Sequence, residues 1–227
     1  VPDTASPAFA ALVGTGIGLL FFGRATGRAL AHVVTLVHEL GHAGVGILVG
    51  GRVRRVSIAL DASGETLTLV GGRLPRLRLT LFTLAGYPAP GLVALLAAWA
   101  VSSGDHRTFL LVSAAFSALA LVLWVRNLWG ITVFAVTVAV LWLAATEGDE
   151  VITRTATIAL AWLLGLGGLR SAWHLARGRS RAAGGLNDAQ RVSQLTRVVP
   201  TGLVAAGFVV LSAACLGLSA ALLLRPT

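Results

Sequence analysis

A chain of 227 residues, 56% hydrophobic and only 12% charged, cannot clothe itself in a water-facing surface, which excludes an ordinary soluble domain and points to the membrane. Its eighteen basic residues, all Arg, outnumber nine acids for a net charge of +9. No basic stripe interleaved with aromatics accompanies that charge, so it argues against nucleic acid and for loops anchored at an anionic lipid bilayer.

In chain order, the sequence begins Val1-Pro2-Asp3, with no charged region ahead of the first apolar run, so that run is expected to be a retained helix. Seven apolar segments lie at roughly 7–23, 28–50, 79–102, 108–125, 128–146, 152–172 and 199–224. Inside a bilayer every backbone polar group must be satisfied within the chain, so helices are expected. The expected architecture is an all-α polytopic membrane protein, a single domain over 1–227 with about six to seven transmembrane helices. Gly14 and Gly18 in the first segment have a spacing that lets helices approach. After the second segment, RVRRVSIALD and ETLTLVGG alternate polar and apolar residues around Ala62-Ser63-Gly64, predicting a β-hairpin over about 52–72 at the membrane surface. Pro88 and Pro90 each remove an amide donor, so the third span is expected to kink or break. That break either borders a cavity or simply bends a helix. Arg126-Asn127 joins the fourth and fifth segments in a tight helical hairpin. A basic loop covers about 173–198, and its second half is expected to open the last helix near Asn187 or Asp188. Cys215 is the only cysteine and forms no internal disulfide.

Threading seven alternating spans puts the loops at 51–78 and 173–198, with Arg126, on one side. That side collects all the arginines except Arg24, Arg28, Arg107, Arg154 and Arg225, while the other carries Glu147, Asp149 and Glu150. The positive-inside rule makes the Arg-rich side cytoplasmic, with the N-terminus there too.

The chemistry lies in TLVHELGHAGVG, Thr35 to Gly46. His38 and His42, four apart, share one helical face, and Glu39 lies on a neighbouring face. H-E-x-x-H is the arrangement in which two imidazoles hold Zn²⁺ and the carboxylate serves as general base to a water at the ion. A carboxylate in lipid costs at least about 2.5 kcal/mol on insertion scales, so packing does not explain these residues. Gly41, Gly44 and Gly46 thin the helix for a neighbouring helix or a substrate strand. His32, seven residues before Glu39, is a possible outer partner of the site or a plain hydrogen-bonding residue. Asn127 is open to holding an oxyanion or to closing a turn. His42 lies about 12 Å before the end of its helix at 1.5 Å per residue, placing the site below the cytoplasmic surface. For a third ligand, His174 and Asp188 are open candidates. Asp61 and Glu65 belong to the hairpin, expected away from the helix, and the acids at 147–150 and His106 are on the far side.

HELGH at 38–42, GGRVRRV at 50–56, LAGYPAPGL at 84–92, RNLWG at 126–130 and NDAQ at 187–190 together resemble the site-2-protease class of intramembrane zinc metalloproteases, and more closely the small bacterial M50B-like peptidases. The resemblance implies zinc held by His38, His42 and a late Asp, with Glu39 as the catalytic base. Asp188 occupies the comparable late position, but Asn187 and Ala189 flank it where that class has Leu-Asp-Gly. The expected activity is hydrolysis of a peptide bond in or near a membrane-spanning segment of a protein substrate, in a multi-pass cell-membrane protein. The hairpin would add a strand to that substrate. The alternatives are a non-catalytic scaffold or metal-binding regulator that keeps the site without turnover, and a metal transporter, which the apolar spans supply with few further ligands.

Overall fold

The computed structural model describes residues 4–179 and 185–225. Part of the basic loop, including Arg181, lies outside the described residues. The elements run α1 (Pro7–Leu20), α2 (Arg24–Leu48), β1 (Arg52–Ile58), β2 (Gly64–Leu69), α3 (Pro75–Leu84), α4 (Pro88–Ser103), α5 (His106–Trp124), α6 (Leu128–Thr146), α7 (Glu150–Ala176), α8 (Asp188–Thr196) and α9 (Thr201–Leu223). Each expected apolar segment is helical. Among the described residues, four helices, α5, α6, α7 and α9, are long and apolar enough to cross a membrane, and counting the bent pairs α1–α2 and α3–α4 as one span each gives up to six.

Local sequence sets the boundaries. The third segment breaks into α3 and α4, bent by 55°, because Pro88 opens a new helix and Pro90 has no amide to donate back. The last helix does not open near Asn187 or Asp188 as expected but begins at Thr201. Residues 188–196 form α8, a helix of their own, opened by a capping box in which Asn187 and Gln190 satisfy each other's backbone. Left-handed Arg197 ends it, and Pro200 then starts α9.

The direction of α1 corrects the threading. Arg154 Nε donates to the Thr4 carbonyl (3.0 Å) and Trp162 Nε1 to that of Ala10 (3.0 Å). The Arg170 guanidinium lies 5.6 Å over the Phe21 ring. Residue numbers rise together along the two helices, so α1 runs parallel to α7, and its start lies at the end of the bundle that holds Glu147–Glu150. The Arg-rich loops are at the other end. Gly14 permits this contact, since a Cβ there would fall 2.7 Å from the Trp162 ring. Seven alternating spans put the N-terminus with the arginines. That fails because α2 turns 110° from α1 and lies across the Arg-rich half, against the start of α6, the end of α5 and the break before α4. Arg24 and Arg28 therefore join the basic end, and distance along α2 is not depth in the membrane.

The hairpin also departs from its expected place at the surface, away from the helix. β1 and β2 pair antiparallel from Arg52↔Leu69 to Ile58↔Gly64 and lie along α2. Thr68 packs by Gly46, while at the turn the Thr35 hydroxyl donates to the Ala62 carbonyl (2.7 Å). The outer edge of β1 is covered: Val56 bridges Val125, and the Asn127 side chain pairs both backbone groups of Ile58, accepting from its N–H (3.3 Å) and donating to its carbonyl (2.6 Å). Leu36, Leu40, Val56, Ile58, Val125 and Phe134 seal this junction as an apolar core.

Candidate metal centre

One turn of α2 brings His38 Nε2 and His42 Nε2 to 3.1 Å. Asp188, the first residue of α8, places Oδ2 3.2 Å from each of them. An N1 carboxylate suits the unpaired amides of a helix start. The structure thus joins the two histidines to an acid 146 residues beyond His42 in sequence. Bonds of about 2.05 Å in a tetrahedron put ligand atoms about 3.3 Å apart, so this triangle has the size a zinc ion requires. Two imidazoles and one carboxylate also form the three-ligand set that leaves a fourth position open.

The surroundings orient these donors. His42 Nδ1 donates to the Phe82 carbonyl at the end of α3 (2.7 Å), which leaves the Nε2 lone pair turned toward the triangle. Tyr87, in the α3–α4 break, sets its ring edge-on to His38 at 4.8 Å and stacks on Phe208 of α9 at 4.9 Å. Gly86 is a cradle that a side chain would fill: a Cβ would fall 2.6 Å from His38 Nε2 and closer still to His42 Nε2. The proline break therefore borders the site. Burial acts to raise the pKa of Asp188, but its hydrogen bonds and charge interactions with His38 and His42 outweigh this and hold it below the ordinary carboxylate value.

Glu39, 3% exposed, stands outside the triangle. The Thr66 hydroxyl of β2 donates to its Oε2 at 2.6 Å, and the backbone of Gly64 presses against the carboxylate, where a Cβ would lie 2.8 Å from Cδ. A cavity of about 440 Å³ opens beside these groups. Its walls include Glu39, the hairpin residues 61–66, Tyr87, Asp188 and, on the basic side, Arg170, His174, Arg179 and Arg191.

The remaining candidates have other places. His174 lines the cavity without joining the three donors. His32 donates through Nδ1 to the Arg28 carbonyl (2.8 Å) and accepts from Trp129 Nε1 (2.9 Å); it ties α2 to α6. Asn127 clamps β1 rather than facing the donors. Asp61 and Glu65 do line the cavity, but Asp61 holds Ser63 and Glu65 pairs with Arg55 at 3.0 Å. His106 meets Glu150 at 3.0 Å at the opposite end. Of the glycines around the motif, Gly41 admits the α3–α4 break, Gly46 admits the protein's own hairpin, and Gly44 faces open space. Sequence reasoning missed Thr66, Gly64, Gly86 and Phe82. Gly86 beside Tyr87-Pro88 was a usable signal; Thr66 looked like any alternating strand residue.

Fold and site together define a helical, multi-pass membrane protein in which a buried acid stands beside a preformed three-donor pocket. The chain belongs to the Peptidase M50B-like family, whose model matches residues 10–219, and this places it among the peptidases. No curated protein and no solved structure matches it.

Proposed function

We propose that the protein is a zinc-dependent endopeptidase that cuts a membrane protein substrate in or near its membrane-spanning segment. The observation that carries this reading is the convergence of His38, His42 and Asp188 within 3.2 Å of one another beside buried Glu39. These three residues would hold the ion. Zinc, when bound, acidifies water and polarises a carbonyl. Glu39 removes the proton from the attacking water and returns it to the leaving amine. Tyr87 and the Phe82 carbonyl fix the imidazoles, so little reorganisation is needed at the moment of reaction.

The hairpin supports an extended substrate. β1 has its outer edge closed by Val125 and Asn127, whereas β2 has no further strand partner among the described residues and lines the cavity. An unwound segment pairing with β2 would lie beside Glu39 and satisfy its own backbone there. The excess of arginines supports a cytoplasmic position for the site-bearing end in a cell membrane, with the start of α1 and the end of α9 on the outer side.

The test is metal content together with proteolysis. Purified wild type retains zinc, His38→Ala and Asp188→Ala lose it, and Glu39→Gln retains it without cleaving a panel of single-span polypeptides in liposomes. Full cleavage by Glu39→Gln would refute the mechanism. Stoichiometric zinc with no cleavage by wild type would make the protein a non-catalytic scaffold or metal-binding regulator.

A further inference from the structure

We infer that Thr66 is a positioning residue for Glu39, so that the strand offered to the substrate also aims the base. This inference rests on the endopeptidase reading for its catalytic meaning, but its structural part stands by itself.

Glu39 is buried within α2, where an unsolvated carboxylate swings freely only at the cost of its hydrogen bonds. Its side-chain bond comes from a distant element: Thr66 Oγ1 donates to Oε2 at 2.6 Å, the short distance of a charge-assisted bond. The same oxygen lies 3.2 Å from the Glu39 backbone carbonyl, so the hydroxyl is pinned against the helix. Gly64, two residues earlier on the strand, has no Cβ, and this lets β2 come down onto the carboxylate. A Cβ at Gly64 would lie 2.7 Å from Thr35 Cγ2 and 2.8 Å from Glu39 Cδ. At its far side the sheet is fastened by Asn127, which takes both backbone groups of Ile58, the residue paired with Gly64. The strand is thus held from both sides with Thr66 directly over Glu39.

With Oε2 held by the Thr66 hydroxyl, the second carboxylate oxygen is left to exchange a proton. A substrate strand on β2 and the base on α2 are then registered through one residue.

The test uses the full-length, zinc-loaded protein in lipid, labelled with ¹³C-glutamate. Subtracting the Glu39→Gln infrared spectrum isolates the Glu39 carboxylate band among the four glutamates. Thr66→Val shifts that band and Thr66→Ser restores it, while zinc content stays at the wild-type level. On the same single-span panel, Thr66→Val lowers kcat about 10- to 100-fold, as expected for loss of a hydrogen bond to a charged group, with KM unchanged and Ser rescuing. Gly64→Ala lowers kcat likewise with zinc retained. An unshifted band in Thr66→Val, or loss of zinc along with activity, overturns the inference. If the wild type cuts nothing, the endopeptidase reading fails, and the band shift alone then decides whether Thr66 holds Glu39.

Discussion

A single methyl group at residue 86 probes the donor triangle without replacing a donor. A Cβ on Gly86 would sit 2.6 Å from both Cε1 and Nε2 of His38, where ordinary contact begins at 3.4 Å. Relief requires the His38 ring, or the break that carries residue 86, to move by about 0.8 Å, whereas a metal site tolerates ligand displacements of about 0.2 Å. Gly86 is not among the residues with positive φ, so alanine brings no backbone strain and the effect is steric. Loss of an orienting contact around a metal ligand weakens affinity about 10- to 100-fold. A clash at the ligating atoms themselves belongs at the upper end of that range. Zinc affinity of Gly86→Ala, measured by competition with a chromogenic chelator at neutral pH, is therefore expected to fall about 100-fold. The far-ultraviolet dichroism stays that of the wild type. Wild-type affinity in Gly86→Ala would refute the reasoning, because it would mean that the three donors do not meet at the ion as their positions here imply.

Other consequences follow from particular contacts. Asn127→Ala strands the N–H and carbonyl of Ile58 and is expected to cost about 2–3 kcal/mol, read by thermal unfolding in detergent, with the hairpin opened to protease before the helices melt. Gly14→Leu drives a side chain into the Trp162 ring, 2.7 Å from where its Cβ would lie; it should cost about 1–3 kcal/mol and separate α1 from α7, detected as exposure of Trp162 to a quencher. Acidification should release zinc, because protons compete for the same imidazole lone pairs; metal content after dialysis across pH 5–8 checks it. In a Cys215-free background, cysteines placed at Ala5 and Glu147 should label from the outer side and one at Arg76 from the cytoplasm. Labelling of Ala5→Cys from the cytoplasm would refute the parallel α1–α7 arrangement.

How far the sequence could be read differs from element to element. Apolar runs became helices because lipid leaves a backbone no other partner, and Pro88 broke the third run because a missing amide is a local fact. His38, Glu39 and His42 were legible together because helical periodicity alone puts the two histidines on one face. The turn at Ala62–Gly64 was legible from strand alternation and turn residues. The 110° bend after α1 was not. Nothing local distinguishes a helix that crosses from one that lies across, and only packing of Gly14 on Trp162 and of Phe21 under Arg170 sets the direction. Threading by span count inherited that error in full, because each added crossing inverts everything before it.

Sequence by itself determined the chemistry that is available: two imidazoles one turn apart, a neighbouring acid, and a chain too apolar to live outside a membrane. Those properties depend on residue type and on periods of a few residues, which the covalent chain carries directly. Tertiary structure alone decided what that chemistry meets. It brought Asp188 to the histidines in place of His174, gave Glu39 a hydroxyl from β2, and set Gly86 where a side chain would collide with both rings. Such meetings are made by contacts between distant segments, and their geometry depends on the whole packed bundle rather than on any stretch of it.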